Sequence, residues 1–151
     1  MPLRGVSFLT LSIVCIGVAG SSQTQDAAAM IAEVVRAGSV IVRGIEFDPR
    51  TATLTARSKP ALEEVRRMLD EHREWTFEVQ VHTDDMGDPN RDQDLSKART
   101  TAVVDWLTRE GIESVRLVPH GDGSSKVHAG SAAETDVLGH NRVELKKLNE
   151  E

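Results

Sequence analysis

The sequence predicts an α/β (α+β) two-layer sandwich, in which helices pack on a mixed sheet in the order β-α-β-α-β-(α)-β. Segments with apolar residues at every second position alternate with segments whose apolar residues recur every three or four positions. Glycine or proline marks most boundaries between these segments. The length of 151 residues suits one domain with a single hydrophobic core.

The first twenty residues differ in character from the rest. Met1–Arg4 carries one positive charge, Gly5–Gly20 is uncharged and mostly apolar, and small residues follow at positions 19–22. This layout predicts a signal peptide over residues 1–20 with cleavage near 19–22. An uncleaved membrane anchor is the alternative, but the apolar run is shorter than the about 20 residues that a spanning helix needs.

Cysteine content and charge narrow the function classes. Cys15 is the only cysteine and lies in the apolar run, so cleavage leaves a chain without disulfides. The preceding residue is Val14, where a lipoprotein signal requires a small residue. The formal net charge is −6, and losing Arg4, the one charge in the first twenty residues, makes it −7. An acidic chain without a basic block argues against nucleic-acid binding.

Residues 21–38 predict an N-terminal helix, with a partly helical tether as the alternative. Gly38 is a natural helix stop. The apolar residues stand at helical spacing, at Met30, Ile31, Val34 and Val35.

The first strand is predicted over residues 39–47, where apolar residues alternate and Gly44 interrupts the pattern. A polar connection follows. Ser58 is expected to cap the next helix, with Pro60 in its first turn, and that helix should end near His72.

The second strand is predicted over residues 77–81, which alternate in the same way. An acidic loop follows. Asp92 or Asp94 is expected to cap the third helix, which runs to about Glu110, where Gly111 ends it.

The last part of the chain completes the predicted domain over residues 39–148, with a tail at 149–151. The expected elements are a strand over 116–119, a loop over 120–131, a short helix over 132–138 and a strand over 142–148.

The acidic loop and the helix after it, HTDDMGDPNRDQDLSKAR at residues 82–99, resemble a calcium loop in part. Asp88, Asn90 and Asp92 fit its first ligand positions. Gln93 stands where the loop requires glycine, and Arg99 stands at the position of the bidentate glutamate. An arginine at the strongest ligand position argues against calcium.

Other chemistries have weaker support. A metal-dependent hydrolase would require His82, Asp84 and another histidine to converge, but the sequence has no HExxH and no cysteine partner. It also has no GxSxG, GxxxxGKS or GxGxxG motif. We therefore predict no catalytic residue, no metal and no cofactor, and a protein that is not an enzyme.

Several motifs together resemble the OmpA-like (OmpA/MotB C-terminal) peptidoglycan-binding domain family. That family has a strand ending in GHTD, a glycine three residues later, and NxxLSxxRA opening a helix. This chain has HTD at residues 82–84, Gly87, and Leu95, Ser96 and Arg99 in register. The family's glycine-rich turn and closing NRRVE are matched by Gly121, Gly123 and NRVE at 141–144.

The resemblance implies noncovalent binding of peptidoglycan in the periplasm or cell envelope. In that family, the aspartate at the position of Asp84 and the arginine at the position of Arg99 bind the free amino-acid end of diaminopimelate in the stem peptide. An aspartate that accepts from an ammonium and an arginine fork that donates to a carboxylate suit such a zwitterion. The further candidate ligand-binding residues are Arg142, Thr83, Asp92 and Leu95.

Departures from the family pattern keep a second interpretation open. Val81 replaces the glycine before HTD, Asp92 replaces a loop asparagine, and one arginine precedes the closing valine. A periplasmic interaction or assembly domain that has lost the ligand would fit these changes, with other envelope proteins as partners. Under that alternative, Arg99 would form an internal salt bridge with Asp84 or Asp85. A membrane contact is expected only through an uncleaved signal.

Overall fold

The part of the chain that the structure describes folds into three helices and four strands. The computed structural model describes residues 25–83, 87–121 and 142–148. The predicted helix at 132–138 lies outside these ranges. Short 3₁₀ turns precede α2 and β3. The elements are α1 Ala27–Ala37, β1 Ser39–Val42, α2 Lys59–Glu71, β2 Thr76–His82, α3 Pro89–Arg109, β3 Leu117–His120 and β4 Arg142–Leu148.

The strands form one mixed sheet in the order β1-β4-β2-β3. β4 is antiparallel to both neighbours, and β2 and β3 are parallel. The predicted helices on a mixed sheet are therefore confirmed. β1, β2 and β3 run in one direction, so their C-terminal ends meet the start of β4 at one edge of the sheet. We call this the C-terminal edge.

The hydrophobic core lies between one face of the sheet and the helices. Alternate strand residues such as Val79, Val81 and Val143 are at most 1% exposed and point into it. Met30 and Val34 of α1 join the same core, as do Val103 and Leu107 of α3. α1 thus packs as part of the folded unit. In the described ranges, no helix combines the length and apolarity that a membrane crossing requires.

The C-terminal ends of α1 and α3 agree with the sequence, but the start of α3 does not. Gly38 and Gly111, at φ 75° and 101°, follow the ends of α1 and α3 as expected. The expected caps at Asp92 and Asp94 are wrong, because the Asp88 carboxylate accepts from the N–H groups of Asn90 and Arg91. Pro89 then takes the first helical position, where its missing N–H costs nothing. α3 starts a turn earlier than predicted, which places Asp92 in its first turn.

The predicted strand over 39–47 is only half formed. β1 ends at Val42, and Gly44 has φ 87°, so the chain turns out of the sheet there. Phe47 instead pairs with Leu54 in an isolated antiparallel bridge. We call residues 47–54 the bridge loop.

Ser58 stands at the predicted N-cap position of α2, but its hydroxyl makes no cap hydrogen bond. Its hydroxyl accepts from the Glu46 N–H at 2.7 Å and lies 2.6 Å from the Glu46 carbonyl oxygen, to which it donates. Ser58 is fully buried, so its hydroxyl is committed to the chain entering the bridge loop. Pro60 lies in the first turn of α2, and α2 ends just before His72, both as predicted.

Candidate functional site

The first half of α3 is attached to the end of β2. The Ser96 hydroxyl donates to the carbonyl oxygen of Val81. The Thr83 hydroxyl lies 3.5 Å from the carbonyl oxygen of Asp92. Ser96 and Asp92 have no exposed surface, and Thr83 is 5% exposed. These contacts fix the helix directly beside the chain that continues from β2 into the acidic loop.

The same half of α3 lies against the end of β3. The Thr100 hydroxyl is 2.8 Å from the Ser96 carbonyl oxygen and 3.3 Å from that of His120. Gly121 approaches the helix so closely that a Cβ there would lie 2.8 Å from the Cα of Lys97. Only glycine allows this distance, so Gly121 sets how closely β3 and α3 pack.

Arg99 lies in the centre of this arrangement and is 4% exposed. Its Nε donates to the carbonyl oxygen of Thr51 at 2.8 Å, and Nη2 is 3.4 Å from that of Asp48. Its Cζ lies 4.9 Å from the centroid of the Phe47 ring, within cation–π range. Burial lowers the pKa of Arg99, because the charged form loses hydration. The bridge loop thus holds a buried guanidinium at the C-terminal edge.

The predicted site residues that the structure describes near this edge have different surroundings. Asp84 falls outside the described residues, so its position stays a prediction. Asp92 is fully buried in the first turn of α3, and Leu95 is half-buried one turn further on. The salt bridge considered between Arg99 and Asp84 or Asp85 also involves residues outside the described ranges.

Arg142 starts β4 and is half-buried, directly opposite His82 of β2. Val143 points into the core, so Arg142 belongs to the sheet face turned away from the helices. Its Nε is buried and has no hydrogen-bond partner among the described residues. The role of Arg142 in ligand binding stays a prediction.

His82 contributes to the packing of this sheet face. It is 7% exposed, and its Nε2 lies 3.4 Å from Oε2 of Glu144 on β4. Across residues 25–83, 87–121 and 142–148, no three histidine, cysteine or acidic side chains come together as a metal site.

The sequence did not predict the residues that hold Arg99. Its pattern places Phe47 at a strand end, Asp48 and Thr51 in a polar connection, and Ser58 at a helix cap. A signal was nevertheless present, because two large apolar residues, Phe47 and Leu54, flank a short polar run that contains a proline. Such a pattern is typical of a closed turn whose ends pair.

A known protein family matches most of the segment that contains these residues. Residues 46–138, more than half of the chain, match the OmpA family. The chain therefore belongs to the OmpA family, and the OmpA-like domain predicted from the motifs is confirmed.

Solved structures share the fold at low sequence identity. A MotB-like protein from Desulfovibrio vulgaris has a TM-score of 0.62 at 21% identity, with 75% of this chain and 74% of that chain covered. The cell wall anchor of the T6SS from Pseudomonas aeruginosa has a TM-score of 0.59 at 20% identity, with 82% of this chain and 96% of that chain covered. The peptidoglycan-associated lipoprotein from Burkholderia pseudomallei has a TM-score of 0.52 at 20% identity, with 76% of this chain and 92% of that chain covered. At these identities the likeness establishes the fold.

One curated relative is 30% identical over 93 residues. It is the photosystem I P700 chlorophyll a apoprotein A2 of Gloeobacter violaceus. The match covers 62% of this chain and 11% of that protein. This chain thus spans about a tenth of the length of that relative.

Proposed function

We propose that this chain is a non-enzymatic module that binds peptidoglycan noncovalently and attaches to the cell wall. The single observation that carries the proposal is the buried Arg99, held at the C-terminal edge next to the end of β2. Thr83 lies at that end, and Asp84 is the next residue in the sequence. Membership of the OmpA family supports the same function, as do solved structures of a cell wall anchor and a peptidoglycan-associated lipoprotein.

The proposed ligand is the free amino-acid end of diaminopimelate in the stem peptide. This group carries an ammonium and a carboxylate on one carbon atom. Arg99 would donate two parallel hydrogen bonds to the carboxylate, and Asp84 would accept from the ammonium. Arg99 is suited to this task because a helix and a bonded loop restrict its position before ligand arrives.

Thr83, Asp92 and Leu95 would shape the site around these two groups. Thr83 and Asp92 are already joined through a hydroxyl and a carbonyl, so both help to place the start of α3. Arg142 would bind only ligand atoms that reach the start of β4. No step of the proposed function requires a metal, a cofactor or bond cleavage.

The proposed location is the periplasm, at the cell wall or outer membrane. The predicted signal peptide would deliver the chain there, and a membrane contact would arise only if that signal were retained. Peptidoglycan is the proposed partner, with other envelope proteins possible alongside it and no role for nucleic acid.

A periplasmic assembly domain without ligand binding is the second candidate. The observation that favours it is Asp92, a fully buried residue where the family pattern has asparagine. An additional carboxylate beside the site would repel a ligand carboxylate and lower its affinity.

Co-sedimentation with purified sacculi tests the proposal against this alternative. The wild type is compared with Asp84→Ala, Arg99→Lys and Arg109→Ala, with circular dichroism to confirm folding. Arg99→Lys keeps the charge and removes the bidentate fork. Arg109 is exposed in the last turn of α3, so Arg109→Ala is the matched control.

Loss of a buried, charged bidentate contact should cost about 2–5 kcal/mol, enough to abolish pelleting. We expect the wild type and Arg109→Ala to pellet and the two site variants to stay in solution. A folded wild type that stays in solution would favour the assembly domain instead.

A further inference from the structure

The tip of the bridge loop is a tight turn formed by Asp48, Pro49, Arg50 and Thr51. The Thr51 N–H donates to the Asp48 carbonyl oxygen at 3.1 Å, which closes the turn. Pro49 occupies the second position of the turn, and Arg50 occupies the third with φ 60°. A proline followed by a residue with positive φ is the arrangement of a type II turn, in which glycine or asparagine is the usual third residue.

Arg50 is the one non-glycine residue with positive φ in the part of the chain that the structure describes. Its Cβ crowds the backbone in this left-handed region, whereas glycine adopts the same conformation without that cost. Backbone conformations of this kind are concentrated at functional sites, where the surrounding structure holds them in place. The turn therefore carries a strained arginine at a position where glycine would relieve the strain.

The turn lies beside the proposed ligand site. The carbonyl oxygens of Asp48 and Thr51, on either side of Arg50, contact the Arg99 guanidinium. Arg50 is exposed, and its side chain has no hydrogen-bond or ion-pair partner within residues 25–83, 87–121 and 142–148, the neighbouring Asp48 carboxylate included. Because the whole chain has a formal net charge of −6, an exposed cation at this edge favours the local approach of an anionic group.

We propose that Arg50 binds a second carboxylate of the stem peptide, that of the glutamyl residue next to diaminopimelate. The identity of the ligand rests on the proposed function, whereas the exposed cation and the strained turn rest on the structure of the bridge loop. The contact uses Arg50 and requires no atom of the Arg99 guanidinium. Glycine would relieve the strain in the turn, but it would not supply the positive charge.

The first experiment measures the binding of two peptides by calorimetry, on protein purified from cells that express the full chain. One peptide is L-alanyl-γ-D-glutamyl-meso-diaminopimelate, and the other is the same peptide with the glutamyl α-carboxylate amidated. The wild type should bind the amidated peptide about 2- to 5-fold more weakly, which is the factor for one exposed charge pair. Arg50→Ala should bind both peptides equally, and Arg50→Lys should retain the preference because it keeps the charge.

The second experiment compares Arg50→Gly with Arg50→Ala, because both remove the charge and only glycine relieves the strain. Urea denaturation should give a higher midpoint for Arg50→Gly than for Arg50→Ala, although neither variant distinguishes the two peptides. Arg57→Ala is the matched control, since Arg57 is an exposed arginine in the 3₁₀ turn before α2. This control should keep the preference of the wild type. A lower midpoint for Arg50→Gly than for Arg50→Ala would overturn the strained turn on which the proposal depends.

These outcomes separate the role of Arg50 from the proposed function. A wild type that binds both peptides with equal affinity, or an Arg50→Ala variant that keeps the full preference, overturns the role of Arg50 alone. A wild type that binds neither peptide refutes the proposed function, and with it the ligand named for Arg50. A preference that Arg50→Ala and Arg50→Gly abolish and Arg50→Lys retains supports the contact between Arg50 and the glutamyl carboxylate.

Discussion

Substituting Gly121 by alanine tests whether the close approach of β3 and α3 holds the site together. The added Cβ would lie 2.4 Å from the Cγ of Lys97, 2.8 Å from its Cα and 2.9 Å from its N. A flexible side chain can move its Cγ away, but the backbone atoms belong to α3. The helix must therefore retreat by about half an ångström to reach ordinary contact.

Gly121→Ala should lower both the stability of the fold and the affinity for sacculi. Such overpacking destabilises folded proteins by about 1–3 kcal/mol. Moving α3 away from β3 also lengthens the 3.3 Å contact between the Thr100 hydroxyl and the His120 carbonyl oxygen. We therefore expect a loss of stability near the upper end of this range. Arg99 lies in the same half of α3, and a binding site tolerates displacements of only about half an ångström. Sacculus binding should therefore weaken even where the variant is fully folded.

Urea denaturation followed by circular dichroism measures the stability, and co-sedimentation measures the binding. The control is Lys97→Ala, alone and combined with Gly121→Ala, because it removes Cγ and leaves the Cα and N in place. We expect Lys97→Ala to rescue little of the loss. Full recovery of stability in the double variant would refute the argument that the backbone of α3 is the obstacle.

Two further predictions concern buried polar contacts. Arg116→Met should lower the free energy of unfolding by about 3–5 kcal/mol, because the guanidinium bonds three backbone carbonyls at the end of α2 and after it. Those carbonyls belong to Leu69, His72 and Trp75. Urea denaturation measures this loss, with the exposed Arg109→Met as control. A loss below about 1 kcal/mol would contradict the prediction. Ser58→Ala should lower the free energy of unfolding by about 1–3 kcal/mol in the same assay, because Glu46 loses its hydroxyl partner. It should also speed the exchange of the Arg99 Nε–H with solvent. An exchange rate equal to that of the wild type would argue against coupling between Ser58 and the bridge loop.

The sequence predicted the layers and most element boundaries because these depend on local signals. The periodicity of the apolar residues indicates where helices and strands lie. Gly38 and Gly111 mark where α1 and α3 end. The errors came where two local signals competed. Asp88, Asp92 and Asp94 are all good caps, and the position of Pro89 decides in favour of the first.

The site was predictable only in part, because its contacts join residues far apart in the sequence. Arg99 was identified from its motif, yet its described partners at Asp48 and Thr51 are about fifty residues away. Ser58 resembles a helix cap in every local respect, and only the folded chain shows that its hydroxyl bonds Glu46. Sequence spacing identifies the charged group, but it does not identify the loop that orients it.

The most direct test of diaminopimelate recognition compares two kinds of sacculi in one co-sedimentation experiment. One kind carries diaminopimelate in its stem peptides, and the other carries lysine at the same position. The lysine side chain ends in an ammonium without the neighbouring carboxylate that Arg99 is proposed to bind. We predict that the protein pellets with the diaminopimelate sacculi and remains in solution with the lysine sacculi. Equal pelleting with both, or with neither, would contradict recognition of the diaminopimelate end.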